Sequence, residues 1–477
     1  MTHIKADTKA NPATTPNTNL NNDPQPPTNG TTKFDVAVIG AGSGGERVAS
    51  LLAKGVNQQP GKQVVVFEHG LVGGECPYYA CIPSKVLLAD ANREPVVWEQ
   101  AVKRRNDVTQ NRNDSGHARD LEGAGVTLVR ARAVVVGNGR VEAAGQTFEV
   151  DHIVIATGSS HQVLPVEGGD GLWNSADAMA SDELPISLTI IGGGAIGCEL
   201  SEVYAKFGTR VALVEAGEKL VAGVEPEVSA AIREHLRAIG VTVHLGAQVE
   251  RVGGAKGAYV VTMKDRGVLT STHVLVATGK KPRVHGLGLE SVGVDPDAVE
   301  IDERGSICGS AKLWAVGDVT KIAPYTHGAN SQAVVVAENI FGGSLDIRGP
   351  VTPRCVYTHP PLASVGQTTA DFHTDEVVVA RLTFDDIARP TTDCLGAGLL
   401  TVVAGRKSGV ILGASGFGHA MDEVIGQLAM AIETQWPVQR LQRLVQPFPT
   451  ISELVGVAYQ TLAKSMNCED KTSPQSS

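Results

Sequence analysis

The sequence has no uninterrupted apolar stretch approaching the length of a membrane span, which argues against a helical membrane protein. It has no basic run, and its formal net charge is -10, so a nucleic-acid or anionic-membrane partner is disfavoured. The first 32 residues contain no arginine and almost no large apolar side chains. Rich in Asn, Thr and Pro, they lack the apolar core of a secretory signal and read as a disordered tail. A disulfide framework is absent as well. Of seven cysteines, an odd number, five (Cys198, Cys308, Cys355, Cys394 and Cys468) are scattered, which points to a reducing compartment, the cytoplasm. Cys76 and Cys81 alone form a close pair. No second Cys/His pair with ligand spacing exists to complete a zinc site, so no metal is expected.

What is present is a long chain with ample apolar content. At 477 residues and 42% hydrophobic side chains, it should hold about three domains. Glycine is frequent, with 54 residues, as suits a backbone that approaches ligands closely in several places. The first ordered segment reads strand, glycine loop, helix, strand: Phe34 to Ile39, then Gly40-Ala41-Gly42-Ser43-Gly44-Gly45, a helix from Arg47 to Lys54, and a strand from Gln63 to Phe67 ending on Glu68. The same grammar recurs at Leu188 to Ile191, Gly192-Gly193-Gly194-Ala195-Ile196-Gly197, a helix from Cys198 to Phe207, and a strand from Thr209 to Val214 ending on Glu215. Near copies Ile153 to Gly158 and Val274 to Gly279 each run a strand into Ala-Thr-Gly, and Leu313 to Asp318 is a strand ending in a Gly-Asp turn. From about Val351 the pattern changes to short, closely spaced strands (Val377 to Thr383, Gly398 to Ala404, Val410 to Ala414) followed by helices at Met421 to Glu433 and Ser452 to Ser465, an α+β domain.

A lone GxGxxG is a weak signal. Twice in one chain, each between a strand and a helix and each with an acid ending the next strand, it points to two dinucleotide sites. The glycines admit a pyrophosphate to the positive helix N-terminus, and Glu68 and Glu215 would accept hydrogen bonds from ribose diols. Glu215 would repel a 2′-phosphate, and no arginine follows in Ala216-Gly217-Glu218-Lys219 to receive one, so NAD(H) is favoured over NADP(H). Lys219 reads as a solvated surface residue.

In Gly73-Gly74-Glu75-Cys76-Pro77-Tyr78-Tyr79-Ala80-Cys81-Ile82-Pro83-Ser84-Lys85, four residues separate the thiols, and Pro83 suits the first turn of a helix continuing through Leu88. A helix N-terminus stabilises the thiolate that disulfide exchange requires. Lys85, four residues after Cys81, falls on the same helical face, where a cation could sit near the reacting centre.

This segment resembles the active-site signature of the class I pyridine nucleotide-disulfide oxidoreductases, the family of dihydrolipoamide dehydrogenase, glutathione reductase and mercuric reductase. The resemblance covers nearly the whole chain after the tail, with all motifs in the family's order. It implies an α/β fold of two Rossmann-like dinucleotide-binding domains, for FAD and NAD, plus a C-terminal α+β dimerisation domain. The expected division is a tail at 1–32, the FAD domain at 33–157 and 280–350, the NAD domain at 158–279, the dimerisation domain at 351–468 and a second tail at 469–477. By matching motifs, Gly40, Gly42, Gly45, Glu68, Gly158 and Asp318 would serve FAD, and Gly192, Gly194, Gly197, Glu215 and Gly279 would serve NAD. Lys85 and Glu199 would form an ion pair near the flavin, Cys81 would be the thiol beside it, and Cys76 the outer thiol that meets substrate. A homodimer is implied. Tyr357-Thr358-His359-Pro360 resembles the start of the dimerisation domain, with His359 structural.

The chain departs from the family at its end. Disulfide-reducing members carry a His-Pro-Thr segment followed by Glu, and that histidine, supplied by the partner subunit, is the acid/base for the outer thiol. The matching stretch here is Phe448-Pro449-Thr450-Ile451-Ser452-Glu453: Glu453 remains, and the histidine is Phe448. General acid–base help is typically worth about 10²–10⁴ in rate, so efficient lipoamide or glutathione turnover is not expected. The adjacent cysteine pair near the C-terminus of mercuric reductases is also missing, and Cys468 is expected in a frayed tail. Tyr78-Tyr79 between the cysteines is unusual too, and Lys85 to Ile153 is short for the family. The expected activity is an NADH-dependent flavoprotein reductase passing electrons through Cys81 and Cys76 to a small acceptor such as a quinone or dye. Two alternatives stand: a dihydrolipoamide dehydrogenase or other disulfide reductase working without the histidine, and a low-turnover flavin redox sensor.

Overall fold

The computed structural model describes residues 32–349 and 351–469, with the side chains of 467–469 left aside. The expected tails therefore fall outside the described residues, except at their inner edges. Thr32, assigned to the tail, starts the first strand, Thr32–Ile39, because it pairs with Phe148 in a neighbouring strand. At the other end the last helix, Glu453–Glu469, carries its backbone past Cys468, which corrects the frayed tail expected there.

The first sheet is built on Thr32–Ile39, flanked in parallel by Val64–Phe67 and Gln146–Ile155, with Thr127–Val129 outside the former and Leu313–Ala315 pairing the latter. Its central strands are apolar on both faces because both are covered. The helices Ser43–Lys54 and Thr326–Ile340 pack Ala49, Leu52, Ala333 and Val336 against Val36 and Val38. On the other side Phe148, Val135 and Leu289 close over Ala37, Ile39 and Phe67. The long strand Gln146–Ile155 also begins an antiparallel meander with Arg140–Ala143 and Ala133–Gly137. Between Lys85 and Ile153 the chain folds two further helices, Trp98–Val108 and Ser115–Gly123.

The second sheet repeats this plan. Ser187–Ile191 is central, parallel to Arg210–Val214 and His273–Val276, with Thr242–His244 at the edge and a three-stranded antiparallel sheet, Val249–Ala255, Ala258–Met263 and Gly267–Ser271, beside it. The chain crosses between the two sheets twice, and the crossing segments Ser159–His161 and Lys280–Pro282 pair antiparallel. The third unit is a five-stranded antiparallel sheet in the order Arg354–Val356, Leu362–Gly366, Ile411–Phe417, Leu399–Gly405, Val377–Thr383, covered by the helices Met421–Thr434 and Glu453–Glu469.

Buried carboxylates lock the three units together. Glu202, fully buried, accepts from Asn92 Nδ2 (3.1 Å), from His235 Nε2 (2.9 Å) and from the backbone N–H of His359 (3.1 Å), so it ties all three units at one point. Glu225, also buried, accepts from the N–H and the hydroxyl of Thr369, both at 2.7 Å. A buried carboxylate with this many donors is satisfied, and stripping one partner leaves an expensive charge. Relative placement of the units is thus set by charge satisfaction as well as by packing.

Candidate active site

Both glycine loops are built alike. Gly40 and Gly192 adopt φ of 101° and 112°, the left-handed region. A Cβ on Gly40 would strike the carbonyl oxygen of Ala156, and one on Gly192 would lie 2.5 Å from that of Ala277. The two Ala-Thr-Gly segments are thus the walls against which the loops turn. The third glycines, Gly45 and Gly197, sit under the carbonyls of Gly40 and Gly192, where any side chain would collide with backbone. The middle glycines, Gly42 and Gly194, occupy the N-cap positions of the helices Ser43–Lys54 and Ala195–Lys206. A Cβ on Gly194 would meet nothing within 4 Å, and one on Gly42 only the Cα of Gly74 at 3.9 Å. Each helix N-terminus therefore faces a cradle bare of protein atoms, shaped to admit a pyrophosphate.

The acids are held identically. Glu68 accepts from the N–H of Ala41 (2.8 Å) and of Gly70 (2.6 Å). Glu215 accepts from the N–H of Gly193 (2.6 Å) and of Gly217 (2.6 Å). Each carboxylate is aimed into its own loop, where a ribose diol would exchange with these donors. Lys219 is not a solvated surface group: its ammonium donates to the Val224 carbonyl at 3.1 Å and is partly buried. Gly158 (φ 68°) is likewise open, with nothing within 4 Å of its Cβ position, and Gly279 ends the matching segment. Asp318 lies in the 3-10 turn Gly317–Thr320 and accepts from the Ser159 hydroxyl at 2.6 Å, joining the first crossing segment to that turn.

Cys76 lies in the short helix Glu75–Tyr79, and Cys81 opens the helix Cys81–Ala91 after a break at Ala80. Both are free thiols. They hydrogen-bond to one another, and their environments divide the proton between them. That bond, the Thr326 hydroxyl and the Lys85 ammonium together outweigh burial and bring the Cys81 thiol down to about 6. Cys76, bonded to Cys81 and buried, is pushed far upward. The favoured state is one thiol and one thiolate, with the charge on Cys81. Thr326, whose hydroxyl lies 3.4 Å from the Cys81 sulfur, begins the 15-residue helix Thr326–Ile340.

The Lys85 ammonium donates to Glu199, at 3.0 and 2.8 Å from the two carboxylate oxygens. Glu199 is 6% exposed and receives a third bond from the backbone N–H of Tyr357 at 3.0 Å. The ion pair and the cysteines come from two separate stretches of sequence, brought together where the helices Cys81–Ala91 and Ala195–Lys206 pack. Thr326 and Tyr357 escaped the sequence reading. Thr326 has no local signal, and Tyr357 stood in the Tyr-Thr-His-Pro motif without a role of its own.

The C-terminal residues lie apart from this cluster within one chain. Phe448 is 76% exposed, beside the exposed Leu444 and Val445, and Glu453 accepts from the N–H of Thr450 at 3.2 Å, closing the turn that begins its own helix. His359 presents only its backbone N–H to Glu202, a structural contact. Tyr78 is buried with its hydroxyl on the Val72 carbonyl (3.0 Å), whereas the Tyr79 ring lies under the Arg112 guanidinium at 5.4 Å. Among the described residues, no group of three or more His, Cys, Asp or Glu could hold a metal ion.

Residues 34–336 match the family described as pyridine nucleotide-disulphide oxidoreductase, and residues 352–459 match that family's dimerisation domain. The chain belongs to this family. It is 32% identical over 465 residues to a dihydrolipoyl dehydrogenase of Chlorobaculum tepidum, covering 91% of this chain and 98% of that one. To a mercuric reductase of Streptomyces lividans it is 30% identical, covering 91% and 97%. Among solved structures it superposes with a TM-score of 0.82 on the Cu(II) complex of a cysteine-to-serine variant of RclA, an HOCl-induced flavoprotein disulfide reductase of Escherichia coli, at 25% identity and covering 90% and 99%. LpdA of Mycobacterium tuberculosis, at 22% identity and a TM-score of 0.79, shares the fold. The oxidoreductase is therefore a flavoprotein enzyme with a disulfide redox centre, FAD and a pyridine nucleotide as cofactors, and a dimerisation domain at its C-terminus. No helix among the described residues is long and apolar enough to cross a membrane.

Proposed function

We propose that this oxidoreductase carries electrons from NADH to the Cys76–Cys81 disulfide and from there to a small acceptor that needs no acid/base at the outer thiol, such as a quinone or a dye. What carries the reading is an inner thiol beside the Thr326 hydroxyl and Lys85, in a chain whose resemblance to the family puts Phe448 where the outer thiol's base would stand. FAD, when bound, relays an electron pair between the nicotinamide and the thiols. The first cradle, with Gly40, Gly42, Gly45, Glu68, Gly158 and Asp318, would hold it. The second, with Gly192, Gly194, Gly197, Gly279 and Glu215, would hold NAD, and the Glu215 carboxylate favours NAD(H) over NADP(H).

The proton balance fits the thiol environment. A hydride brings two electrons and one proton, so opening the disulfide yields one thiol and one thiolate with no further proton from solvent. One thiol and one thiolate is the state that the pair favours, with the Thr326 hydroxyl and Lys85 stabilising the charge and the interaction between the thiols leaving the proton on Cys76. Dithiol exchange asks more: Cys76 must give up its proton to attack or to protonate a leaving thiolate, and phenylalanine supplies no group that titrates near neutral pH. Exposed Leu444, Val445 and Phe448 suit burial in a homodimer, and free cysteines at all six described positions suit a reducing compartment such as the cytoplasm.

Steady-state assays of the FAD-loaded enzyme with NADH should rank quinones and dyes above lipoamide and glutathione disulfide. Cu(II) belongs in the panel because RclA has been solved in complex with it. Phe448→His should raise lipoamide turnover by about 10²-fold or more. If lipoamide is already the best acceptor of the unaltered enzyme, the reading is wrong, and the second reading, a disulfide reductase working without the histidine, takes its place; the dihydrolipoyl dehydrogenase relatives favour that alternative.

A further inference from the structure

The Lys85–Glu199 pair has a third participant. The Lys85 ammonium stands 4.4 Å from the centroid of the Tyr357 ring, over its face. The same residue donates its backbone N–H to Glu199 at 3.0 Å. Tyr357 therefore touches both members of the pair, with its ring on the cation and its backbone on the anion. Its hydroxyl also interacts with the Cys355 thiol. Cys355 is fixed in turn by its strand, Arg354–Val356, where it pairs with Ala363.

We propose that Tyr357 is a positioning residue: its ring holds the Lys85 ammonium on Glu199 and toward Cys81 while its backbone N–H holds Glu199, so the C-terminal domain sets the charge environment of the inner thiol. A lysine whose side chain is 36% exposed has several rotamers within reach of water. The carboxylate alone leaves it free to swing on its four-carbon stem, whereas a ring face on the opposite side narrows the choice. The attraction is electrostatic and strengthens as the ammonium loses water. Burial keeps the Cys355 thiol and the Tyr357 hydroxyl in their neutral forms, with Cys355 pushed up to about 11 and Tyr357 to about 12. No anion therefore forms at the ring to compete with Glu199. The remaining charged group acting on both Cys355 and Tyr357 is Asp422, in the first turn of the helix Met421–Thr434.

The inference rests on the reading of Cys81 as the charged inner thiol, and the test separates the two. The reduced, FAD-loaded enzyme is alkylated across pH, with Cys81 resolved from Cys76 by mass. In the unaltered enzyme the midpoint for Cys81 should lie near 6. Tyr357→Leu should move it up by about half to one pH unit, leaving roughly three- to tenfold less thiolate below the midpoint. Tyr357→Phe keeps the ring and should return the midpoint most of the way. A leucine variant that titrates with the unaltered enzyme, or a phenylalanine variant that shifts as far as leucine, overturns the inference. An unaltered midpoint near 9 overturns the reading of Cys81 and the inference with it. Should the leucine variant not fold, Tyr357→Trp decides in its place: a midpoint below that of the unaltered enzyme supports the ring–cation contact, and one at or above it overturns the proposal.

Discussion

Gly194 and Gly197 are three residues apart in one loop, and the structure predicts opposite consequences for the same substitution. At Gly197 a methyl group would collide with the backbone carbonyl of Gly192, and neither atom belongs to a side chain that can rotate away. The loop or the helix Ala195–Lys206 must shift, at about 2–4 kcal/mol, or roughly 5 °C or more in Tm. At Gly194 the added Cβ meets no atom within 4 Å, and φ is -77°, a conformation open to any residue. Replacing glycine by alanine at an N-cap costs about 0.5–1.5 kcal/mol, so Tm should move by about 1–3 °C. The methyl would nevertheless project into the cradle assigned to the NAD pyrophosphate. Losing one charge-assisted hydrogen bond there, at about 1.5–3 kcal/mol, weakens NADH binding roughly 10- to 150-fold. Anaerobic flavin reduction at varied NADH concentration gives the apparent Kd, and thermal unfolding gives Tm. If Gly194→Ala binds NADH like the unaltered enzyme, the cradle does not hold the nucleotide. If it unfolds as early as Gly197→Ala, the open space inferred at Gly194 is wrong.

Two further outcomes follow from the same geometry. Thr326→Val removes the hydroxyl 3.4 Å from Cys81 and should raise the thiol's midpoint from near 6. Because the folded value lies below the ordinary thiol value of 9, the thiolate is present above the midpoint and is lost as pH falls through it. The variant should therefore lose thiolate reactivity at a higher pH, and an unchanged alkylation profile would show that the hydroxyl contributes nothing. Glu215→Ser removes the carboxylate expected to repel a 2′-phosphate, so the ratio of kcat/KM for NADPH to that for NADH should rise about tenfold or more; a constant ratio would place nucleotide choice elsewhere.

Much of the architecture was legible in the chain because it depends on short-range rules. A glycine loop between an apolar strand and a helix declares itself within about 30 residues, and this chain does so twice with matching acids. The helix beginning at the second cysteine was legible for the same reason. The helix Ser43–Lys54 starts earlier than the apolar pattern indicated, because Gly44, packed against Ala329 and Val316, and Gly45, pressed on the Gly40 carbonyl, are helical residues rather than loop. The absence of histidine at Phe448 needed only alignment to a motif. Lys219 was misjudged because nothing in sequence shows that the Val224 carbonyl waits within reach.

By itself, then, the sequence determined the two glycine loops with their acids, the close cysteines and a phenylalanine at position 448, each a matter of residue type and local spacing. The resemblance named Cys81 as the inner thiol, and only the tertiary structure supplies the groups that hold a charge there. Cys76 and Cys81 are equivalent in chemistry; Thr326, which follows Cys81 by 245 positions, and a lysine held by Glu199 and Tyr357 from the other two units favour a thiolate in the pair, and the interaction between the two thiols leaves the proton on Cys76. A pKa depends on distance and burial rather than on sequence order. That environment could appear only when the three units were packed around the pair.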